Sequence, residues 1–156
     1  MLQYYDAIAQ IAGCQRFSEI YGTVKFLKIS DGSWVEAELF NLPEFDPYCQ
    51  DCQFLPTFDF SIHEKGTCGS SCGDCPFLQA GQPLLSTPAC SSAFVGEMPS
   101  VFSNGGTSKL LFFTNRFFPE DIVGRSVVVQ ARYLSRDKAA QAPPMRIACG
   151  YIAKYD

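Results

Sequence analysis

The chain is short of the residues that several functional classes need. It has a single histidine, His63, and only 18% of its 156 residues are charged, with a net charge of −4. One imidazole cannot build a histidine metal centre, and an acidic chain without a basic stripe is not expected to bind nucleic acid. No apolar run approaches the ~20 residues that span a bilayer. The N terminus lacks the features of a secretory signal, so we expect a cytoplasmic protein that does not act in a membrane.

Apolar and aromatic residues are abundant, with 47% hydrophobic residues, fourteen Phe and seven Tyr. A chain of 156 residues is predicted to form one domain, 1–156, with a core built from rings. Short runs of alternating or β-branched residues, separated by turn signals, favour an all-β antiparallel sandwich or barrel. The runs predicted as strands are 7–12, 22–29, 33–40, 57–63, 109–117, 124–131 and 145–153.

The run 33–40 gives the clearest alternation. Asp31-Gly32 precedes it and predicts a hairpin with the run 22–29, since both residue types tolerate positive φ. One face of the run is predicted to be buried and the other wet. The buried face carries Val35, Ala37 and Leu39, and the wet face carries Trp34, Glu36 and Glu38.

Residues 64–107 have no sustained period and are rich in Gly, Pro, Ser and Cys. A stretch of this length without a pattern is uncommon in a compact domain and is usually functional or tied down.

Four segments, the second of which is in two pieces, carry a resemblance to a known family. Residues 60–68 read FSIHEKGTC, and residues 76–81 and 96–99 read PFLQAG and GEMP. Residues 121–131 and 145–152 read DIVGRSVVVQA and MRIACGYI. These segments resemble the copper/zinc superoxide dismutase family. The family pattern for the first segment is Phe-His-x-His-Glu-x-Gly-x-Cys, and for the second it is Ala-Gly-Gly-His-Phe-Asn-Pro followed later by Gly-Asp-Leu-Pro. For the third and fourth segments the patterns are Ile-x-Gly-Arg-x-Val-Val-x-His and Arg-x-Ala-Cys-Gly-x-Ile. The resemblance implies an eight-stranded Greek-key β-sandwich or flattened barrel with long loops.

The resemblance also shows which family ligands are replaced. Of the family's copper histidines, one is kept as His63, and the others fall on Ser61, Pro83 and Gln130. The zinc positions fall on Ser91, Phe94 and Glu97. Serine, glutamine and proline are poor copper ligands or none, and Phe supplies no donor to zinc. We therefore expect no copper cofactor and no dismutase activity through the family's own site.

At two of the matched positions, His63 and Arg146, the chain keeps the residue type of the family. We expect the His63 ring to hydrogen-bond nearby backbone, the alternative being a ligand role. Arg146 matches the family arginine that guides the anion, and we expect it to bond loop carbonyls, the alternative being a small anion.

The resemblance pairs Cys68 with Cys149 in the family's intrasubunit disulfide. Six further cysteines leave other chemistry open. Nineteen residues separate Cys49-x-x-Cys52 from Cys72-x-x-Cys75, a spacing that suits a four-thiolate structural zinc site. Disulfides, a Cys52–Cys90 bridge among them, and free thiols are the alternatives for these cysteines, which also include Cys14.

The function predicted first is a superoxide-dismutase-like binding or structural module that has lost its copper and zinc. A zinc protein built on the four paired cysteines is the alternative, and residual dismutase activity is third. No partner is predicted by name. Because the family commonly dimerises through a sheet face, self-association through Phe112, Phe113, Phe117 and Phe118 is an option, although we expect these rings to be core.

Overall fold

A computed structural model describes residues 2–47, 49, 52–70, 76–87, 95–134 and 144–156. Within these ranges the chain is mostly β-structure, with one short α-helix, α1 (Pro119–Ile122), and two 3-10 helices, Gln15–Phe17 and Leu78–Ala80. No helix in the described part of the chain is long and apolar enough to cross a membrane. The predicted all-β class is confirmed. The strands are β1 (Ala7–Gly13), β2 (Tyr21–Ile29), β3 (Gly32–Phe40), β4 (Gln53–Phe54), β5 (Thr57–His63), β6 (Val101–Phe102), β7 (Ser108–Thr114), β8 (Ser126–Ala131), β9 (Tyr133–Leu134) and β10 (Met145–Lys154).

Eight of these strands form one antiparallel sheet, in the order β6-β5-β8-β10-β1-β2-β3-β7. The edge strands β6 and β7 approach one another, so the sheet curves into a nearly closed, flattened barrel. The neighbours β3–β7 and β5–β8 are distant in sequence, as in a Greek key. Strands β4 and β9 form a separate two-stranded ribbon. The predicted eight-stranded flattened barrel is therefore the fold of this chain.

The hairpin between β2 and β3 is present, but its turn differs from the prediction. The turn lies at Ser30 and Asp31, and Gly32 already pairs with Ile29 in the ladder. Neither Asp31 nor Gly32 has a positive φ, so the reason given for the turn is wrong. Gly32 is needed because a Cβ there would collide with the carbonyl oxygen of Thr114 on β7.

Strand β3 buries the predicted face, since Val35, Ala37 and Leu39 are all inaccessible. Glu36 corrects the prediction for the opposite face, because it is only 4% exposed. Its carboxylate accepts the backbone N–H of Leu2 at 2.8 Å, so the N-terminal segment covers it.

The bounds of the later strands β7 and β8 differ from the prediction. Strand β7 ends at Thr114, and the chain then turns so that Phe117 packs edge-on against Phe26, with ring centroids 6.0 Å apart. Phe117 is core, as expected, whereas Phe113 is 44% exposed and corrects that expectation. Strand β8 begins at Ser126, after Gly124 with φ 88°.

Candidate functional site

Three strands bring the motif residues onto one face. Across the β5–β8 pair, Asp59 lies opposite Gln130 and Ser61 opposite Val128. Across the β8–β10 pair, Gln130 lies opposite Arg146. Directly opposite residues of an antiparallel pair point to the same side of the sheet. The outer face of β5, β8 and β10 is therefore the place where the residues of distant segments meet.

A β-bulge in β10 sets the direction of Arg146. The register shifts between Arg146 and Ala148, so that Arg146 faces Gln130 while Cys149 faces Val128. Arg146 and Cys149 are three residues apart, and in a regular strand they would point to opposite sides. The extra residue of the bulge puts both on the outer face.

Beyond its short pairing with β6, the edge of β5 is covered by two pieces of the long loop. Ser61 forms an isolated bridge with Glu97, and His63 forms another with Pro83. Ile62 donates its N–H to the carbonyl of Gly96 at 2.8 Å. These backbone bonds fix the loop against the strand that carries Ser61 and His63.

His63 uses both of its ring nitrogens inside the protein. Its side chain is inaccessible to solvent. Nδ1 lies 2.9 Å from the carbonyl oxygen of Gly81, and Nε2 lies 3.0 Å from Oγ of Ser61. A carbonyl can only accept, so Nδ1 carries the proton and donates. In the neutral ring Nε2 is then the acceptor, and the Ser61 hydroxyl donates to it.

The surroundings of His63 favour this neutral form. Burial lowers the pKa of His63 below its ordinary value, and the positive charge of Arg146 lowers it further. The bond to Gly81 and the charge of Glu64 act in the opposite direction without reversing the shift.

Arg146 is engaged by the loop, as expected from the sequence. Its Nη1 donates to the carbonyl of Phe77 and its Nη2 to the carbonyl of Gly81, both at 2.8 Å. Phe77 has φ 62°, which is unusual for a bulky residue and aims its carbonyl at the guanidinium. Gly81 has φ 79° and ψ −151°, a backbone conformation essentially confined to glycine, so glycine is required at this position.

Next to this network lies an open pocket of about 270 Å³, called the Ser61 pocket below. It holds four of the positions that the resemblance aligns with metal ligands, namely Ser61, Pro83, Glu97 and Gln130. The whole lining consists of Asp59, Phe60, Ser61, Pro83, Glu97, Met98, Ser100, Gln130 and Arg132.

The residues of the Ser61 pocket do not fit a copper ion. Copper prefers several imidazole or soft donors in a defined geometry. The pocket offers a hydroxyl, an amide and a proline ring at three of the positions that the resemblance aligns with copper ligands, and His63 is the single imidazole of the chain. In the described part of the chain no group of three or more His, Cys, Asp or Glu is arranged to hold a metal. The zinc-equivalent Ser91 and Phe94 lie outside the described residues.

Two disulfides are present among the described cysteines. Cys68 is bonded to Cys149, the pair that the resemblance predicts, and this bond ties the loop to β10. Cys49 is bonded to Cys52. Cys14 is buried and free.

The Cys49–Cys52 disulfide competes with the predicted zinc site, because sulfurs joined to one another are not thiolate ligands. Cys72 and Cys75, the other two predicted ligands, lie outside the described residues. The four-cysteine zinc site therefore stays a prediction.

Two polar groupings were missed from the sequence. In the first, Arg132 pairs with Asp59 at 2.7 Å, and Ser100 donates to the other oxygen of Asp59 at 2.6 Å. The alternation Asp59, Ser61, His63 along β5 is the signal that places Asp59 on the outer face.

The second missed grouping joins Arg16, Asp46 and Tyr133. The Tyr133 hydroxyl donates to Oδ2 of the buried Asp46 at 2.6 Å, and Arg16 lies 3.4 Å from the same oxygen. Burial and the bond to Asp46 raise the pKa of Tyr133 to about 12. No sequence pattern links three positions so far apart.

Comparisons with known proteins give no further assignment. No protein-family model matches this chain, and no curated protein matches it.

Proposed function

We propose that this chain is a superoxide-dismutase-like domain that has lost its copper and zinc centre, has no dismutase activity, and serves as a binding or structural module. The four ordered sequence segments support the ancestry, as does a fold of the implied type. The observation that carries the loss is the donor set around His63. The Ser61 pocket beside this one imidazole offers a hydroxyl, a proline ring and an amide at the aligned copper positions, and Nε2 of His63 accepts from Ser61.

The same surroundings support a structural role for the former site. Arg146 and His63 share the carbonyl of Gly81, so these two hydrogen bonds hold the strand and the loop together. The Cys68–Cys149 disulfide fastens the same loop covalently. A binding role would use the Ser61 pocket, which is open and largely polar.

Restoring the missing imidazoles tests this proposal directly. The triple variant Ser61→His, Pro83→His, Gln130→His should bind copper(II) with the electron paramagnetic resonance spectrum of nitrogen ligation, because imidazole is the ligand that this ion prefers. The wild-type chain should show only weakly held copper under the same conditions. A matched control, with three histidines at exposed positions outside the pocket (Ser18, Ser30 and Gln53), should behave as the wild type.

A folded triple variant that binds copper no better than this control would contradict the proposed ancestry of the site. The four-cysteine alternative is separated by elemental analysis, since zinc that is lost in Cys49→Ser would support it.

A further inference from the structure

The Ser61–His63 pair, called the dyad below, has the arrangement of an activated nucleophile. Ser61 Oγ lies 3.0 Å from Nε2 of His63, and Nδ1 of the same ring is held by the Gly81 carbonyl at 2.9 Å. The carbonyl fixes the proton on Nδ1, so the lone pair of Nε2 points at the hydroxyl. A base that contacts the nucleophile and is itself oriented by a third group is the general pattern of nucleophilic catalysis.

Ser61 is the member of the dyad that a substrate can reach. His63 is fully buried, whereas Ser61 is half-buried and lines the open Ser61 pocket. Gln130 and Arg132 line the same pocket and carry N–H donors. Such donors are what a negatively charged acyl-transfer intermediate requires. Asp59 holds the Arg132 guanidinium in place through a contact of 2.7 Å.

We propose that Ser61 is a nucleophile, with His63 as its general base, and that it takes acyl groups from small esters that enter the Ser61 pocket. Oγ bonds to the ester carbonyl carbon while its proton passes to Nε2 of His63. The bond to the leaving oxygen then breaks, and that oxygen takes the proton from Nε2. Water attacks the acyl-serine in the same way, so the sum is ester plus water giving acid plus alcohol.

The pocket limits the class of ester. Its volume of about 270 Å³ admits a small acyl group with a short alcohol. Its charged lining consists of the carboxylates of Asp59 and Glu97 and the guanidinium of Arg132. Two negative groups against one positive group favour neutral or cationic esters over esters that carry a carboxylate.

Covalent labelling of the full chain tests the nucleophile. An alkyl fluorophosphonate should phosphonylate the folded protein at Ser61, with loss of fluoride, and peptide mass spectrometry should locate the adduct there. Ser61→Ala should lose this adduct. Ser30 is exposed and belongs to a turn without a histidine, so Ser30→Ala should label as the wild type does. No adduct at Ser61 with the reagent in excess, or equal labelling of exposed serines, overturns the proposal.

Two further measurements test the base. The chain has one histidine, so its imidazole nitrogens give a single set of signals in long-range ¹H–¹⁵N spectra. The proposal expects the neutral ring with the proton on Nδ1, and a proton on Nε2 overturns it. His63→Gln should slow labelling of Ser61 by about 100-fold or more, the usual effect of losing a general base. A folded His63→Gln variant that labels at the wild-type rate overturns the role of His63.

The dyad and the loss of the metal centre are separable. A chain that binds no copper and also fails to label at Ser61 would refute the nucleophile alone.

Discussion

At the scale of single residues, one backbone oxygen connects the strand, the loop and the half-buried guanidinium of Arg146. The carbonyl of Gly81 accepts from Nδ1 of His63 and from Nη2 of Arg146. The second guanidinium nitrogen reaches the carbonyl of Phe77, and both acceptors belong to residues with positive φ. The fork of an arginine suits two fixed acceptors, whereas an ammonium group is a point charge. Arg146 therefore stabilises a loop conformation in which Phe77 has a positive φ, which is unfavourable for a bulky residue.

Arg146→Lys should lower the free energy of unfolding by about 2–3 kcal/mol, because hydrogen bonds from a charged group to partly buried carbonyls are among the stronger ones. Urea denaturation of the two proteins measures the difference. Arg132→Lys is the matched control, since Arg132 makes an exposed ion pair with Asp59. Such pairs contribute within about 1 kcal/mol. Equal losses in the two variants would contradict the role given to Arg146.

At the scale of strands and ribbons, the β4–β9 ribbon is joined to the barrel by a buried polar contact. The Tyr133 ring stacks on Phe54, with centroids 4.9 Å apart, and its hydroxyl donates to Asp46. Asp46 also faces Arg16, which follows β1. The stacked ring pair thus holds the two strands of the ribbon together, and the hydroxyl–carboxylate bond to Asp46 connects the ribbon to Arg16.

Tyr133→Phe should cost about 1–3 kcal/mol, because it leaves an oxygen of the buried Asp46 with one partner fewer. The pH dependence has a definite sign. The folded-state pKa of Tyr133 is raised to about 12 from 10.0. The contribution of this tyrosine is therefore fully present below pH 10 and lost as the pH rises through 12. Denaturation from pH 8 upward should show the wild type and the variant converging above pH 10, and a constant difference would contradict the account.

The sequence predicted the elements whose side chains alternate. The predicted bounds of β1, β3 and β5 nearly match the observed ones, because apolar and polar residues alternate along a strand that is buried on one face. The bulge at Arg146 could not be found in this way, since one extra residue breaks the period that reveals the strand. The burial of Glu36 depends on Leu2, which is distant in sequence and carries no signal of its own.

The candidate site was predicted in part, by motif rather than by pattern. The motifs named Ser61, His63, Gln130 and Arg146, and the strand register brings them to one face. Spacing could not show that Ser61 donates to His63, because that bond depends on the ring orientation set by Gly81. Asp59, Ser100 and Arg132 were missed because the polar contacts among them cross three elements.

At the scale of the whole molecule, the two disulfides seen among the described cysteines close loops of very different size. Cys68 and Cys149 are 81 positions apart, whereas Cys49 and Cys52 are three apart. A cross-link restricts the unfolded chain more when its loop is longer. The first bond therefore bears on the stability of the whole barrel, and the second on one turn.

Replacing Cys68 and Cys149 by Ala should cost about 4–5 kcal/mol on the chain-entropy relation, and replacing Cys49 and Cys52 by Ala about 2 kcal/mol. Thermal and urea unfolding of the two double variants against the wild type gives both values. A larger loss from the short loop than from the long one would refute this ranking.

The metal content of the purified chain tests the central claim most directly. Protein isolated without added metal or chelator, then incubated with copper(II) and desalted, should hold no stoichiometric copper and should not consume superoxide. The reason is that the chain has a single imidazole, and the pocket beside it offers a hydroxyl, an amide and a proline ring in place of further imidazoles. Stoichiometric copper that is lost in His63→Gln, together with catalytic removal of superoxide, would contradict the account.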